Sequence, residues 1–88
     1  MKKINHIPFF GEHSNDVVMI QTDLNNNGYN PGIVDGIYGS ATRNAISDFQ
    51  EANNLVDDGI LGPKTLNALG YEVKTIKTDG FAALSWEK

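Results

Sequence analysis

A chain of 88 residues with 40% hydrophobic content holds one small domain with a thin core and excludes a second substantial one. Seven basic and eleven acidic residues give a net charge of −4, the wrong sign for phosphate-driven nucleic-acid binding, and the basic residues are scattered rather than clustered. With no Cys, disulfides and thiolate metal sites are excluded, the fold rests on packing alone, and the compartment stays undecided on that count.

Met1-Lys2-Lys3-Ile4 has the basic start of a secretory leader, but Asn5, His6 and Pro8 interrupt the apolar run short of the usual stretch of about 7 to 15 residues. No signal peptide is read here, and no run approaches the roughly 20 apolar residues of a membrane span. Residues 1–13, with "KKINHIPFF" rich in strand formers, form an N-terminal extension.

From Asp16 to Asn27, Val17, Ile20 and Leu24 share one helical face; Ser14 or Asn15 caps the start, and Gly28 suits a left-handed end. A second helix runs from Ala41 to about Asn53, with Ala45, Ile46, Phe49 and Ala52 as its apolar stripe and Gly39 or Ser40 as its cap. Pro63 opens a third, short helix at the position where a missing N–H costs nothing; Leu66 and Leu69 face inward, and Gly70 stops it. The main domain is thus read as residues 14–70. Residues 71–88 are a C-terminal extension or a linker toward a further domain, and "YEVKTIKT" is rich enough in strand formers to pair with the N-terminal segment as a sheet or hairpin, with Asp79-Gly80 as a turn signal.

One phrase is written twice. "DGIYGSATRNAI" begins at Asp35 and "DGILGPKTLNAL" at Asp58, and each is preceded by an apolar-Gln pair inside a helix, Ile20-Gln21 and Phe49-Gln50. The chain therefore reads as two copies of a helix-loop-helix unit sharing the middle helix, an all-α, pseudo-twofold arrangement rather than a solenoid. Gly36 and Gly59 supply positive φ at the loop corners, Gly39 and Gly62 clear the turn into the next helix, and Asp35 and Asp58 accept loop N–H groups. Ile37 and Ile60 are expected to drop from the loops into the core. Gln21 and Gln50 are expected to satisfy buried loop backbone.

Taken together, the Ile-Gln helix, the "GY" turn, "VDGIYGSAT" leading into "AISDFQEANNL", and "DDGILGPKTLNAL" resemble the small three-helix peptidoglycan-binding domain of bacterial and phage cell-wall hydrolases, over roughly Asp16 to Leu69. The resemblance implies a non-catalytic module, without cofactor, that binds the glycan strand and stem peptide of murein and accompanies a hydrolase domain or partner. It would be made in the cytoplasm and act at the cell wall or periplasm after release, or within a phage particle. The alternative is a structural module, such as a phage tail or baseplate component, using the same fold for protein contacts.

Catalysis finds little support in the residues. His6 and His13 are the only imidazoles and lack metal-pair spacing, and the acidic residues Asp16, Asp23, Asp48, Glu51 and Asp57 fall on polar faces or in a loop. For binding, the two phrases lead into helix N-termini, where free N–H groups favour the carboxylates of stem peptides. Arg43 and Lys64 add positive charge there, and Tyr29 and Tyr38 offer aromatic faces with polar tips. With Asp35 and Asp58 these four make up the expected ligand-binding set.

Overall fold

The computed structural model describes residues 2–73. Within them the order is β1 (Lys2–Ile4), α1 (Asn15–Asn26), α2 (Ser40–Ala52), α3 (Pro63–Leu69) and β2 (Tyr71–Val73). Ser14 caps α1, its hydroxyl accepting from the Val17 N–H at 3.3 Å. Gly28, at φ +89°, ends α1 in a left-handed turn, and the Tyr29 N–H closes it onto the Leu24 carbonyl at 2.9 Å. The end of α2 repeats this closure, Leu55 N–H to Gln50 carbonyl at 2.8 Å, but with Asn54 at φ 60° in the glycine's place. Asn tolerates that region better than other side-chain-bearing residues, so the two copies share a geometry without sharing a residue.

Val17, Ile20 and Leu24 of α1 meet Ala45, Ile46 and Phe49 of α2, and Leu66 of α3 completes a single buried cluster. Ala52, expected in the α2 stripe, is exposed at the helix end. The terminal segments enter the same core: Ile4 and Tyr71 are both buried, and Pro8 is covered as well. β1 and β2 pair in parallel, Lys2 opposite Tyr71 and Ile4 opposite Val73, so the expected pairing takes the form of a two-stranded sheet and not a hairpin. The rest of "YEVKTIKT" and the Asp79-Gly80 turn signal lie outside the described residues.

Buried polar groups fasten these segments to α1. The Tyr71 hydroxyl donates to Asp23, which also receives the Lys2 ammonium at 2.9 Å. Burial and the adjacent carboxylate push the Tyr71 phenol well above its ordinary range. On the N-terminal side Glu12 is buried and bonded three ways, to Ser14 Oγ at 2.7 Å, His6 Nε2 at 2.7 Å and the Phe9 N–H at 3.2 Å. Burial alone would raise the Glu12 pKa, but the Ser14, His6 and Phe9 bonds outweigh it and hold the carboxyl below its ordinary value.

That depression has a sign. The stabilisation from Glu12 is fully present above the unfolded pKa and is lost as pH falls through the lower folded value. Melting temperature should therefore drop between about pH 5 and pH 3, with a shallower drop in Glu12→Gln. Identical acid limbs for the two proteins would show that other carboxylates govern acid unfolding.

Candidate functional site

The two repeat loops are built alike around their glutamines. Gln21 is buried; its Oε1 accepts from the Gly36 N–H at 2.9 Å, and its amide nitrogen donates to the Ile37 carbonyl at 3.0 Å and to Thr42 Oγ1 at 2.9 Å. Gln50 repeats each bond, with Gly59 at 2.8 Å, Ile60 at 2.9 Å and Thr65 at 3.1 Å. Asp35 and Asp58 each accept a loop N–H two residues on, from Ile37 and Ile60, both at 2.9 Å. The Ile37 N–H and the Gln21 amide hold the Asp35 carboxyl below its ordinary pKa. The expectations for the glutamines, the aspartates and the positive φ of Gly36 and Gly59 are met.

The isoleucines go the other way. Ile37 is 46% exposed and Ile60 63%, whereas their successors Tyr38 and Leu61 are buried. The carbonyl of each isoleucine points inward to its glutamine, and in an extended stretch consecutive side chains alternate, so the isoleucine faces out and the next residue takes the core position. Gly39 and Gly62 also differ from expectation. They cap α2 and α3 in extended conformations, and a Cβ at either would meet nothing, so neither clears a steric obstacle.

Outward-facing isoleucines turn each loop into the wall of a groove. The first, about 220 Å³, is bordered by Pro31, Ile33, Asp35, Ile37 and Ala41. The second, about 380 Å³, is bordered by Val56, Asp58, Ile60, Pro63 and Lys64. Val56 is 76% exposed and Ile60 63%, so the second groove presents two apolar side chains to solvent beside one ammonium and one carboxylate. Where the second groove has Lys64, the first has Ala41, and only the second can pair a ligand carboxylate with a cation from its own wall.

Of the expected ligand set, Asp58 and Lys64 thus share one groove, and Asp35 borders the other. Arg43 lies across the second loop from Lys64; Ile60 stands between them, lining both the Lys64 groove and a separate groove that contains Arg43. A single anion site flanked by Arg43 and Lys64 is therefore not what forms. α3 begins at Pro63 and is only seven residues long, so Lys64 contributes as a side chain rather than as part of a strong helix terminus. Tyr38 is corrected to a scaffold role: it is 2% exposed, and its hydroxyl donates to the Gly59 carbonyl at 2.5 Å, tying one repeat loop to the other. Burial raises its phenol pKa. Tyr29 is half-buried, its ring edge-on to Phe49 at 5.5 Å.

The repeated loops coincide with a known family. The model of the family described as "Putative peptidoglycan binding domain" matches residues 13–69, which contain both Asp-Gly phrases and all three helices. The chain belongs to this family. Among relatives of this peptidoglycan-binding-domain chain, the N-acetylmuramoyl-L-alanine amidase CwlM of Mycobacterium tuberculosis is 40% identical over 64 residues, 73% of the chain and 15% of that protein. A spore cortex-lytic enzyme of Bacillus cereus is 41% identical over 69 residues, 78% of the chain and 26% of that protein. In structure, the SleB N-terminal domain superposes with a TM-score of 0.71 at 38% identity, covering 75% of this chain and 90% of that one. The chain thus spans about a quarter or less of the curated relatives, and nearly all of a relative's separate domain.

Proposed function

We propose that the chain is a non-catalytic peptidoglycan-binding module that holds a hydrolase domain or partner against the cell wall, and that the groove between Ile60 and Lys64 takes the stem peptide. The observation that carries the reading is the pairing of exposed Val56 and Ile60, on a loop whose backbone is fixed by Gln50, with Lys64 in the first turn of α3. Stem peptides are short, methyl-bearing and rich in carboxylates. Their methyl groups would cover the two apolar side chains, and a carboxylate would meet the Lys64 ammonium.

A non-catalytic role is supported by the state of the acids. A glycosidic general acid needs a carboxyl whose pKa is raised in an apolar pocket. Among the described residues the buried Glu12 is shifted the opposite way, the buried Asp23 is taken up by the Lys2 ammonium and the Tyr71 hydroxyl, and Glu51 and Asp57 are exposed, with Asp48 half-buried. Action at the wall, like the hydrolase partner, is inferred from the relatives' enzyme names.

Sedimentation with purified sacculi tests the proposal. Lys64→Ala and Ile60→Ser should each raise the unbound fraction as expected for an affinity loss of about tenfold, since a charge-assisted contact is worth about 1.5 to 3 kcal/mol and burying an isoleucine side chain about as much. Melting temperatures should stay near wild type because both side chains are exposed. Supernatants should contain no newly released reducing ends or amines. Wild-type protein left wholly in the supernatant would refute binding, and turnover of the wall would refute the non-catalytic reading.

A further inference from the structure

Across Ile60 from the Lys64 groove lies a second, larger groove of about 590 Å³, whose far wall is made by residues that precede the family match: Phe9 and Phe10, opposite Arg43. Phe9 is 63% exposed and Phe10 56%. Two adjacent phenyl rings in water are commonly a sign of a loose segment, yet this turn is tied at every corner. The Glu12 N–H donates to the Phe9 carbonyl at 2.9 Å across Gly11 at φ +95°, a type II turn. The Phe9 N–H is held by the buried Glu12 carboxylate, and the Gly11 N–H donates to the Tyr38 carbonyl at 2.8 Å. The rings are thus pre-positioned, and apolar surface displayed by a rigid turn marks a contact surface.

The occupant is indicated by what stands beside the rings. The Arg43 guanidinium lies 5.8 Å from the Phe10 ring centre, and no ion pair to a carboxylate occupies it among the described residues. Its stem rests against Gly59, the position from which Ile60 rises. The groove therefore offers aromatic faces, one available planar cation and no carboxylate among its lining residues. That combination suits a saccharide with C–H faces to lay on the rings and carbonyl or carboxylate oxygens to accept from a guanidinium. It suits a free amine poorly.

We propose that this groove is a glycan subsite: Phe9 and Phe10 pack against N-acetylated sugar rings of the murein strand, and Arg43 donates to the carbonyl oxygen of the lactyl group whose carbonyl carbon carries the stem peptide in amide linkage. The inference rests on the peptidoglycan reading above. Because Ile60 lines both grooves, a strand lying over Phe9 and Phe10 has its stem peptide leaving toward Lys64. The aromatic wall comes from outside the matched residues 13–69, so the subsite draws on residues beyond the repeat.

The test titrates the full chain, followed by amide and arginine side-chain NMR, with two probes kept apart: peptide-free chains of alternating N-acetylglucosamine and N-acetylmuramic acid, and released stem peptides. The glycan chains should shift the signals of Phe9, Phe10, Gly59 and Arg43. Phe9→Ser and Arg43→Gln should each weaken glycan binding by about tenfold or more while leaving stem-peptide affinity and melting temperature unchanged. Equal glycan affinity in wild type and both variants overturns the subsite, and so does stem-peptide binding that falls in parallel with it. Stem peptides bound without any glycan binding overturn the subsite alone, whereas no binding of either probe or of sacculi overturns the peptidoglycan reading too. A wild-type dimer that Phe9→Ser dissociates would assign the rings to a second copy of the chain and overturn the glycan assignment.

Discussion

Gln50→Leu should lower stability by about 3 kcal/mol, because it strands the Gly59 N–H, the Ile60 carbonyl and the Thr65 hydroxyl together. Each buried group left without a partner costs about 1 to 3 kcal/mol, and leucine returns only part of this through its apolar volume. Domains of this size typically have roughly 5 to 15 kcal/mol in total, so the loss is a large share. In a domain of 60 to 100 residues each kcal/mol moves the midpoint by about 4 to 8 °C, and a fall of about 12 to 24 °C is therefore expected. Gln21→Leu should behave alike, since its bonds to Gly36, Ile37 and Thr42 are the same set. A shift of only a few degrees in both variants would mean that water replaces the amide and that the loops do not depend on it.

Gly59→Val should be comparably damaging by a different route. The position holds φ +73°, where a β-branched residue is strained by about 1 to 3 kcal/mol, and a Cβ there would sit 2.6 Å from Arg43 Cγ and 3.1 Å from the Arg43 carbonyl oxygen. The side chain can yield; the carbonyl belongs to α2 and cannot move freely. Gly36→Val meets the same backbone strain and the Ser14 carbonyl oxygen at 3.0 Å. Gly28 separates the two terms, because it has φ +89° and a Cβ there would meet nothing within 4 Å. Substitution there should cost the strain alone, and urea midpoints should rank Gly28→Ala well above Gly59→Ala. Equal midpoints would show that loop packing adds nothing to the φ cost.

The helices are legible in the sequence because their apolar residues recur at helical spacing and their ends carry Ser14, Gly28, Pro63 and Gly70, each with a local physical reason to be there. The glutamine role is legible for a different reason: a polar residue written beside a core Ile or Phe twice must have buried partners. Ile37 and Ile60 escape such reading, since apolarity specifies that a residue resists water, not which side of an extended strand it occupies. Their exposure depends on where the carbonyl has to point, and that is set by a glutamine in another element. Tyr38 escapes it conversely, its partner being the carbonyl of Gly59 in the other copy of the repeat. Asp58 and Lys64 line one groove because both belong to the second phrase. Arg43 and Phe10 meet only through the packing of the N-terminal turn onto Tyr38, a contact that no spacing encodes.

The parallel pairing of β1 with β2 also determines how the molecule carries load. Lys2 lies opposite Tyr71 and Ile4 opposite Val73, so the chain enters at one end of the ladder and leaves at the other. Tension applied between residues 2 and 73 pulls the two strands along their length in opposite directions. The interstrand bonds, the Lys2 N–H to the Gly70 carbonyl at 3.0 Å and the Lys2–Asp23–Tyr71 linkage beside it all bear that force at once and cannot open one after another. A hairpin of the same residues would unzip from its end. Pulled from residue 2 and residue 73, this small domain is loaded in shear, the direction in which a short ladder resists most.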